Sequence, residues 1–184
     1  MTEKKRLREE INKRLEAHSA AERRAKSLLI QKKLFGLEAF RNSSCVCFYV
    51  SLPTEVDTVS MIDQALETGK RVVVPLSDLE NKELKLFQIT NPRTDLKKGA
   101  YGIFEPDPRS ATPVDPGEVD CVVVPGIVFD EKKNRIGRGH GFYDRFLNKF
   151  GPKVFKVGLA FSFQVIPQVP QESHDEPLDL VLTE

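Results

Sequence analysis

The chain has 184 residues, a length that suits one domain around one core. Hydrophobic residues make up 40%, charged residues 30%, and the formal net charge is +1, which is ordinary for a globular protein and argues against a dedicated nucleic-acid binder. No apolar run approaches membrane-span length, and "MTEKKRLREE" has no signal-peptide core and too many acids for a transit peptide. The expected compartment is therefore the cytoplasm.

The neutral total hides an asymmetry. Residues 1–33 carry eleven Lys/Arg against five Asp/Glu, while residues 171–184 carry five acids and no Lys/Arg. A basic arm invites an anionic partner, and a solvated helix face is the plainer alternative.

The elements follow in chain order. Leu7, Ile11 and Leu15 recur every four residues, which predicts a helix over roughly 2–17. Lys4 and Arg8 share a neighbouring face of it. Ser19 and Glu22 form a capping box for a second helix running to about Phe40. "CVCFYV" (45–50) reads as a buried strand and "SLPTEVDT" as the loop after its carboxyl end. "VSMIDQALETGK" predicts a helix with Gly69 at C′. "RVVVP" (71–75) closes a β-α-β unit, so its two strands are expected to be parallel. "ELKLFQI" (83–89) is a third strand, "GAYGIFEPDP" a Gly/Pro-rich loop, and "VDCVVVP" (119–125) a strand buried on both faces. A loop or hairpin follows, then a helix over 142–150 and strands over 155–161 and 178–183.

This alternation predicts one α/β domain over 1–184: a three-layer α/β/α sandwich with a mainly parallel sheet, preceded by N-terminal helices. Ligands in such sheets bind beyond the carboxyl ends of the strands, which points to loops 51–57, 126–141 and 162–177. Cys45, Cys47 and Cys121 lie inside apolar runs. The C-x-C pair lacks a second metal-binding motif, so the three are expected to be reduced, buried small hydrophobes. His18 and His174 are expected at the surface.

"NRIGRGHGFYDRF" (134–146) carries the densest chemistry. Gly137, Gly139 and Gly141 alternate, which lets the backbone turn and approach a ligand. Successive amides, Arg135, Arg138 and the following helix N-terminus would suit an anion. The spacing matches neither G-x-x-x-x-G-K-[ST] nor G-x-G-x-x-G, and a tight hairpin before a helix explains it equally well. Asp144 suits the first turn of that helix. Beside phosphates it would instead call for a cation, and Mg²⁺ takes one or two carboxylates together with phosphate oxygens.

"PGIVFDEKKNRIGRGHGFYDRFL" resembles the signature of the 5-formyltetrahydrofolate cyclo-ligase family. "KKRLR" (4–8), "SLPTEVDT" (51–58), "GAYGIFEP" (99–106) and "ESHDEPLDLVLTE" resemble further family motifs in the same order, so the likeness covers nearly the whole chain. The resemblance implies a Rossmann-like sheet of the NagB/RpiA/CoA transferase-like group. It implies a monomer acting on a reduced folate and ATP with Mg²⁺, without nucleic-acid or membrane partners.

Residue by residue, the resemblance implies ATP binding by Lys4, Lys5, Arg6, Leu7 and Arg8, by Arg135, and by Gly137, Arg138, Gly139, His140 and Gly141. Folate contacts fall on Val50, Glu55, Arg138, Gly139, His140, Gly141, Phe142 and Tyr143, with Tyr101 and Phe104 as further contacts of the pterin ring. Tyr143 and Arg138 stand at the reacting centre, and Asp144 and Asp175 hold the metal. Many relatives read G-G-G-Y-Y-D where this chain has His140 and Phe142, which argues against an essential acid at 142. A sugar-phosphate isomerase or transferase would leave Asp144 unexplained. A silent relative binding nucleotide or nucleic acid would not need Tyr143 and Asp144 intact.

Overall fold

The computed structural model describes residues 2–99, 102–172 and 175–184. Tyr101 and His174 therefore lie outside the described residues.

Helix α1 (Glu3–Ala17) buries Leu7, Ile11 and Leu15, the stripe its four-residue spacing dictates. Helix α2 (Ala20–Gly36) opens on the expected capping box, with Ser19 Oγ accepting from the Glu22 amide at 3.3 Å and the Glu22 carboxylate from the Ser19 amide at 3.3 Å. Such a cap stabilises a helix by about 0.5–2 kcal/mol. The second helix was expected to reach Phe40. It stops at Gly36, a poor helix former, Leu37 turns extended, and a short α3 (Glu38–Asn42) follows. The break lets Phe40 swing into the core against Phe35 and Phe48.

The main sheet has seven strands, named in chain order with the smaller sheets: β1 (Cys45–Cys47), β2 (Arg71–Asp78), β3 (Glu83–Ile89), β4 (Leu96–Lys98), β5 (Phe104–Pro106), β6 (Thr112–Val114), β7 (Cys121–Val124), β8 (Val128–Asp130), β9 (Arg135–Ile136), β10 (Phe155–Leu159), β11 (Val165–Ile166) and β12 (Leu180–Leu182). Its order is β12-β10-β7-β1-β2-β3-β6. Strands β12, β10, β7, β1 and β2 are mutually parallel, and β3 and β6 add antiparallel pairs at one edge. Helix α4 (Val59–Glu67) makes the predicted crossover from β1 to β2 and ends where Gly69 takes φ +81°, and a single turn, α5 (Pro92–Asp95), leads into β4.

Period-two alternation sorts the two faces. Val46 packs with α1, α2 and α4, while Cys45 and Cys47 pack on the other face with Phe146 and Leu147 of α6 (Phe142–Leu147). All three cysteines are buried free thiols, as expected. Three layers follow, a mixed α/β fold with a large, mainly parallel sheet.

The predicted strand 45–50 is shorter than expected, because after Cys47 the chain leaves the ladder and carries Tyr49 and Val50 toward the carboxyl ends of the strands. The Gly/Pro-rich stretch after Lys98 is not all loop. Phe104–Pro106 pairs with Leu96–Lys98 as a two-stranded hairpin.

His18 is not a plain surface residue. Its ring stands edge-on to Phe161 at 4.6 Å and Phe163 at 5.2 Å, and both ring nitrogens are buried without partners. Desolvation, helped by Lys26, pushes its pKa below the ordinary histidine value. A base whose folded pKa is lowered favours folding when neutral, so its contribution is complete above pH ~6.5 and is lost as pH falls through the folded value. Urea titrations are expected to show stability dropping below pH ~6.5, and His18→Phe is expected to flatten that slope. An equal slope in the variant would assign the loss elsewhere.

Candidate active site

Hairpin β8–β9 delivers the glycine loop. The buried Asp130 carboxylate accepts from the amides of Lys132, Asn134 and Val169 and from the Asn134 side chain, so the turn is locked from inside. Lys133 sits at φ +68°, completing that turn. The tight hairpin and the ligand-facing loop are thus two successive pieces, 130–134 and 137–141. Gly139 and Gly141 take φ +98° and +66°, a region costly for residues bearing Cβ. Gly141 is the N-cap of α6.

A cavity of about 490 Å³ opens against this loop. It gathers residues from six stretches: α1, the loop after β1, the β2–β3 pair, residues 103–105 at β5, residues 125–144, and the acidic tail. Loops 51–57, 126–141 and 162–177 all contribute, as the strand-end rule predicted. The β2–β3 edge and β5 were not anticipated.

Charge inside it is arranged in pairs. Lys4 Nζ lies 2.9 Å from Asp175 Oδ2 and 3.0 Å from Glu172 Oε1. Burial works against its ammonium, but these carboxylates prevail and hold the Lys4 pKa above the ordinary lysine value. Arg135, with its side chain 2% exposed, donates from Nη2 to Asp144 Oδ1 at 2.6 Å. Burial pushes the Arg135 pKa down, opposed by Asp144, Tyr143 and Asp175, and its Nε is buried without a partner. Arg138 Nη2 reaches Glu55 Oε1 at 2.7 Å, and Glu55 Oε2 accepts from the Leu52 amide at 2.8 Å. Arg8 Nε donates to the Gly137 carbonyl at 2.7 Å, with its guanidinium beside Gly139.

Tyr143 packs edge-on against Phe146, with the Arg135 guanidinium 5.8 Å from its ring centre. Burial, reinforced by Cys47 and Glu55, pushes its phenol well above the ordinary tyrosine value. It is therefore a neutral hydrogen-bond donor near neutral pH, not a base. His140 stands near Phe142, its ring centre 6.4 Å away.

Of the predicted residues, Lys4, Arg8, Val50, Glu55, Phe104, Arg135, Gly137, Arg138, Gly139, His140, Gly141, Phe142, Tyr143, Asp144 and Asp175 all line this one cavity. Val50 serves the core as well. Lys5, Arg6 and Leu7 are not brought to it. On a helix only positions three or four apart share a face: Leu7 points into the core, Lys5 is exposed, and Arg6 pairs with Glu10 at 3.3 Å. Sequence reading missed Glu172 and Glu105. The first lies three residues before Asp175 in the acidic tail, and the second is the acid of the 99–106 motif. Among the described residues no group of three or more His, Cys, Asp and Glu forms a ready-made metal cluster. The carboxylates of Asp144 and Asp175 beside cationic side chains are a donor set that suits Mg²⁺, which completes its shell from phosphate and water.

The family model for 5-formyltetrahydrofolate cyclo-ligases matches residues 1–184. The chain belongs to the 5-formyltetrahydrofolate cyclo-ligase family. It is 32% identical over 190 residues to the Mus musculus 5-formyltetrahydrofolate cyclo-ligase, covering 98% of this chain and 93% of that one. The NMR structure of Aquifex aeolicus 5,10-methenyltetrahydrofolate synthetase superposes with a TM-score of 0.85 at 34% identity, covering 98% of this chain and 89% of that one. A Mycoplasma pneumoniae 5,10-methenyltetrahydrofolate synthetase, at 23% identity and TM-score 0.80 over 99% of both chains, shares the fold. No helix of this cyclo-ligase family member, among the described residues, is long and apolar enough to cross a membrane.

Proposed function

We propose that the protein converts 5-formyltetrahydrofolate and ATP to 5,10-methenyltetrahydrofolate, ADP and phosphate. The observation that carries this reading is the single cavity in which the Glu55 loop faces the cations Lys4, Arg8, Arg135 and Arg138 and the carboxylates Asp144 and Asp175. Glu55 suits the adjacent N–H donors of a pterin edge. Arg135, Arg138, Lys4 and Arg8, with the loop amides from Gly137 to Gly141, suit the phosphates. Asp144 and Asp175 are the residues that would hold Mg²⁺, which supplies charge neutralisation on the phosphates.

Chemically, the formyl oxygen attacks the γ-phosphorus and ADP departs. The oxygen on the formyl carbon is then a phosphate ester, a far better leaving group. N10 attacks that carbon, loses its proton, and phosphate leaves as the ring closes. The chain's own residues mainly position the two ligands and balance developing charge. Arg138 bridges the two ligands, and Tyr143 donates a hydrogen bond to the oxygen on the reacting carbon. The three unbridged thiols fit a reducing compartment, in keeping with a cytoplasmic enzyme.

The test is direct. Protein mixed with 5-formyltetrahydrofolate, ATP and Mg²⁺ is expected to generate the ultraviolet absorbance of the methenyl product, with none when ATP is omitted. Absence of product at high enzyme concentration sinks the reading.

A further inference from the structure

Phosphate chemistry uses only part of the cavity. The sheet order puts β7 with the neighbouring segments on one side of β1 and β2 with β3 on the other. Lys4, Glu172 and Asp175 gather with α1, which packs on β8, the strand that follows β7 in the chain. Across β1, the polar Ser77 and Glu105 are hydrogen-bonded to each other, and the apolar part of the cavity wall is Pro75, Leu84, Ile103, Phe104 and, from α6 packed on β3, Phe142. None of these residues serves a phosphate or a metal. They form an apolar shelf on the far side of the Glu55 loop.

Phe104 is the anomaly on that shelf. The residue is 51% exposed, one of few large apolar residues left in that state among the described residues. Yet its strand is firmly held. The next residue, Glu105, is 5% exposed and accepts from the Ser77 amide of β2 at 3.0 Å. The Gly99 backbone passes so close to the Glu105 carboxylate that an added Cβ would lie 2.1 Å from Oε2. The Gly99 amide donates to the Ile103 carbonyl at 2.7 Å, and Asp107 accepts from Lys97 at 2.6 Å and from Arg109 at 2.8 Å. A braced strand that presents an uncovered aromatic ring to a cavity offers a fixed stacking surface at little entropic cost.

We infer that Phe104 is a specificity-determining residue that stacks on the aminobenzoyl ring of the folate. This rests on the folate reading of the site. A reduced folate has two planar parts. Glu55 takes the hydrogen-bonding pterin, and the aryl ring, which has no donor edge to offer a carboxylate, takes the apolar shelf. The stack exists before and during reaction alike, so it lowers KM without raising kcat.

Kinetics of Phe104→Ala and Phe104→Trp test it, together with inhibition by 5-formyl-6-methyltetrahydropterin, which carries the pterin head but no aryl ring. Phe104→Ala is expected to raise the folate KM about threefold to tenfold, the span of an aromatic pair, with kcat and the ATP KM within about twofold. Phe104→Trp is expected to keep the wild-type KM, and the Ki of the pterin fragment is expected to be the same in all three proteins. An unchanged folate KM in Phe104→Ala overturns the inference. So does a fragment Ki weakened in parallel, which would put Phe104 on the pterin, or a raised ATP KM, which would put it on the nucleobase. Failure of the wild-type protein to turn over at all overturns the folate reading itself, and is thereby distinct.

Discussion

Asp144→Asn is expected to lower turnover by about 100- to 1,000-fold, the loss typical when one preorganised charge partner of a transition state is removed. The substitution is nearly isosteric. It keeps an oxygen that can accept from Arg135 Nη2, now 2.6 Å from Asp144 Oδ1, and removes only the charge. Mg²⁺ loses a hard anionic ligand and the phosphates lose part of their neutralisation. Folding is affected less. Arg135 is buried, so weakening its ion pair destabilises the protein, but the retained hydrogen bond limits the loss to about 1–2 kcal/mol. Steady-state kinetics across a Mg²⁺ series and urea unfolding separate the two effects. Full activity in Asp144→Asn would remove Asp144 from the metal site. A collapse of stability matching the loss of rate would make its role structural.

Glu55→Ala should act on the other ligand. A carboxylate hydrogen-bonded to a pterin edge contributes about 1.5–3 kcal/mol, so its removal raises the folate KM by about 10- to 100-fold. The same change releases Arg138 from its 2.7 Å ion pair. That guanidinium is 43% exposed and is readily hydrated, so the variant is expected to remain folded and its affinity for Mg-ATP is not expected to fall. Isothermal titration with a non-hydrolysable nucleotide, alongside folate kinetics, tests both halves. Equal weakening toward folate and nucleotide would end the pterin assignment.

Where local chemistry dominated, the sequence was a good guide to the fold. The four-residue stripe of α1, the Ser19–Glu22 cap, the β1-α4-β2 crossover and the Gly69 terminus all depend on neighbours close in sequence. The β4–β5 and β8–β9 hairpins were poorly legible, because strands of two or three residues interrupted by Gly and Pro show no alternation. The site was legible as a list of residues and not as an arrangement. Nothing in a linear reading pairs Lys4 with a carboxylate 171 residues away, or Arg138 with one 83 residues away. Nor does a basic motif announce that Leu7 faces inward while Lys4 and Arg8 face the cavity. Helical geometry makes that distinction: the spacing already put Leu7, Ile11 and Leu15 on one stripe and Lys4 with Arg8 on a neighbouring face.

The pairing of Lys4 with Asp175, Arg135 with Asp144 and Arg138 with Glu55 bears on discrimination as much as on catalysis. Entry of a ligand is an exchange of partners. A lone inorganic anion that draws Lys4 or Arg135 to itself leaves Asp175 or Asp144 facing fresh negative charge, and the low-dielectric surroundings magnify that repulsion. A metal-bound polyphosphate brings both signs and satisfies both members of each pair. On the proposed reading, a pterin would do the same for Glu55 by offering donors in place of Arg138. The paired resting site would, on that same reading, disfavour lone inorganic anions and favour ligands whose own charges mirror its pairs.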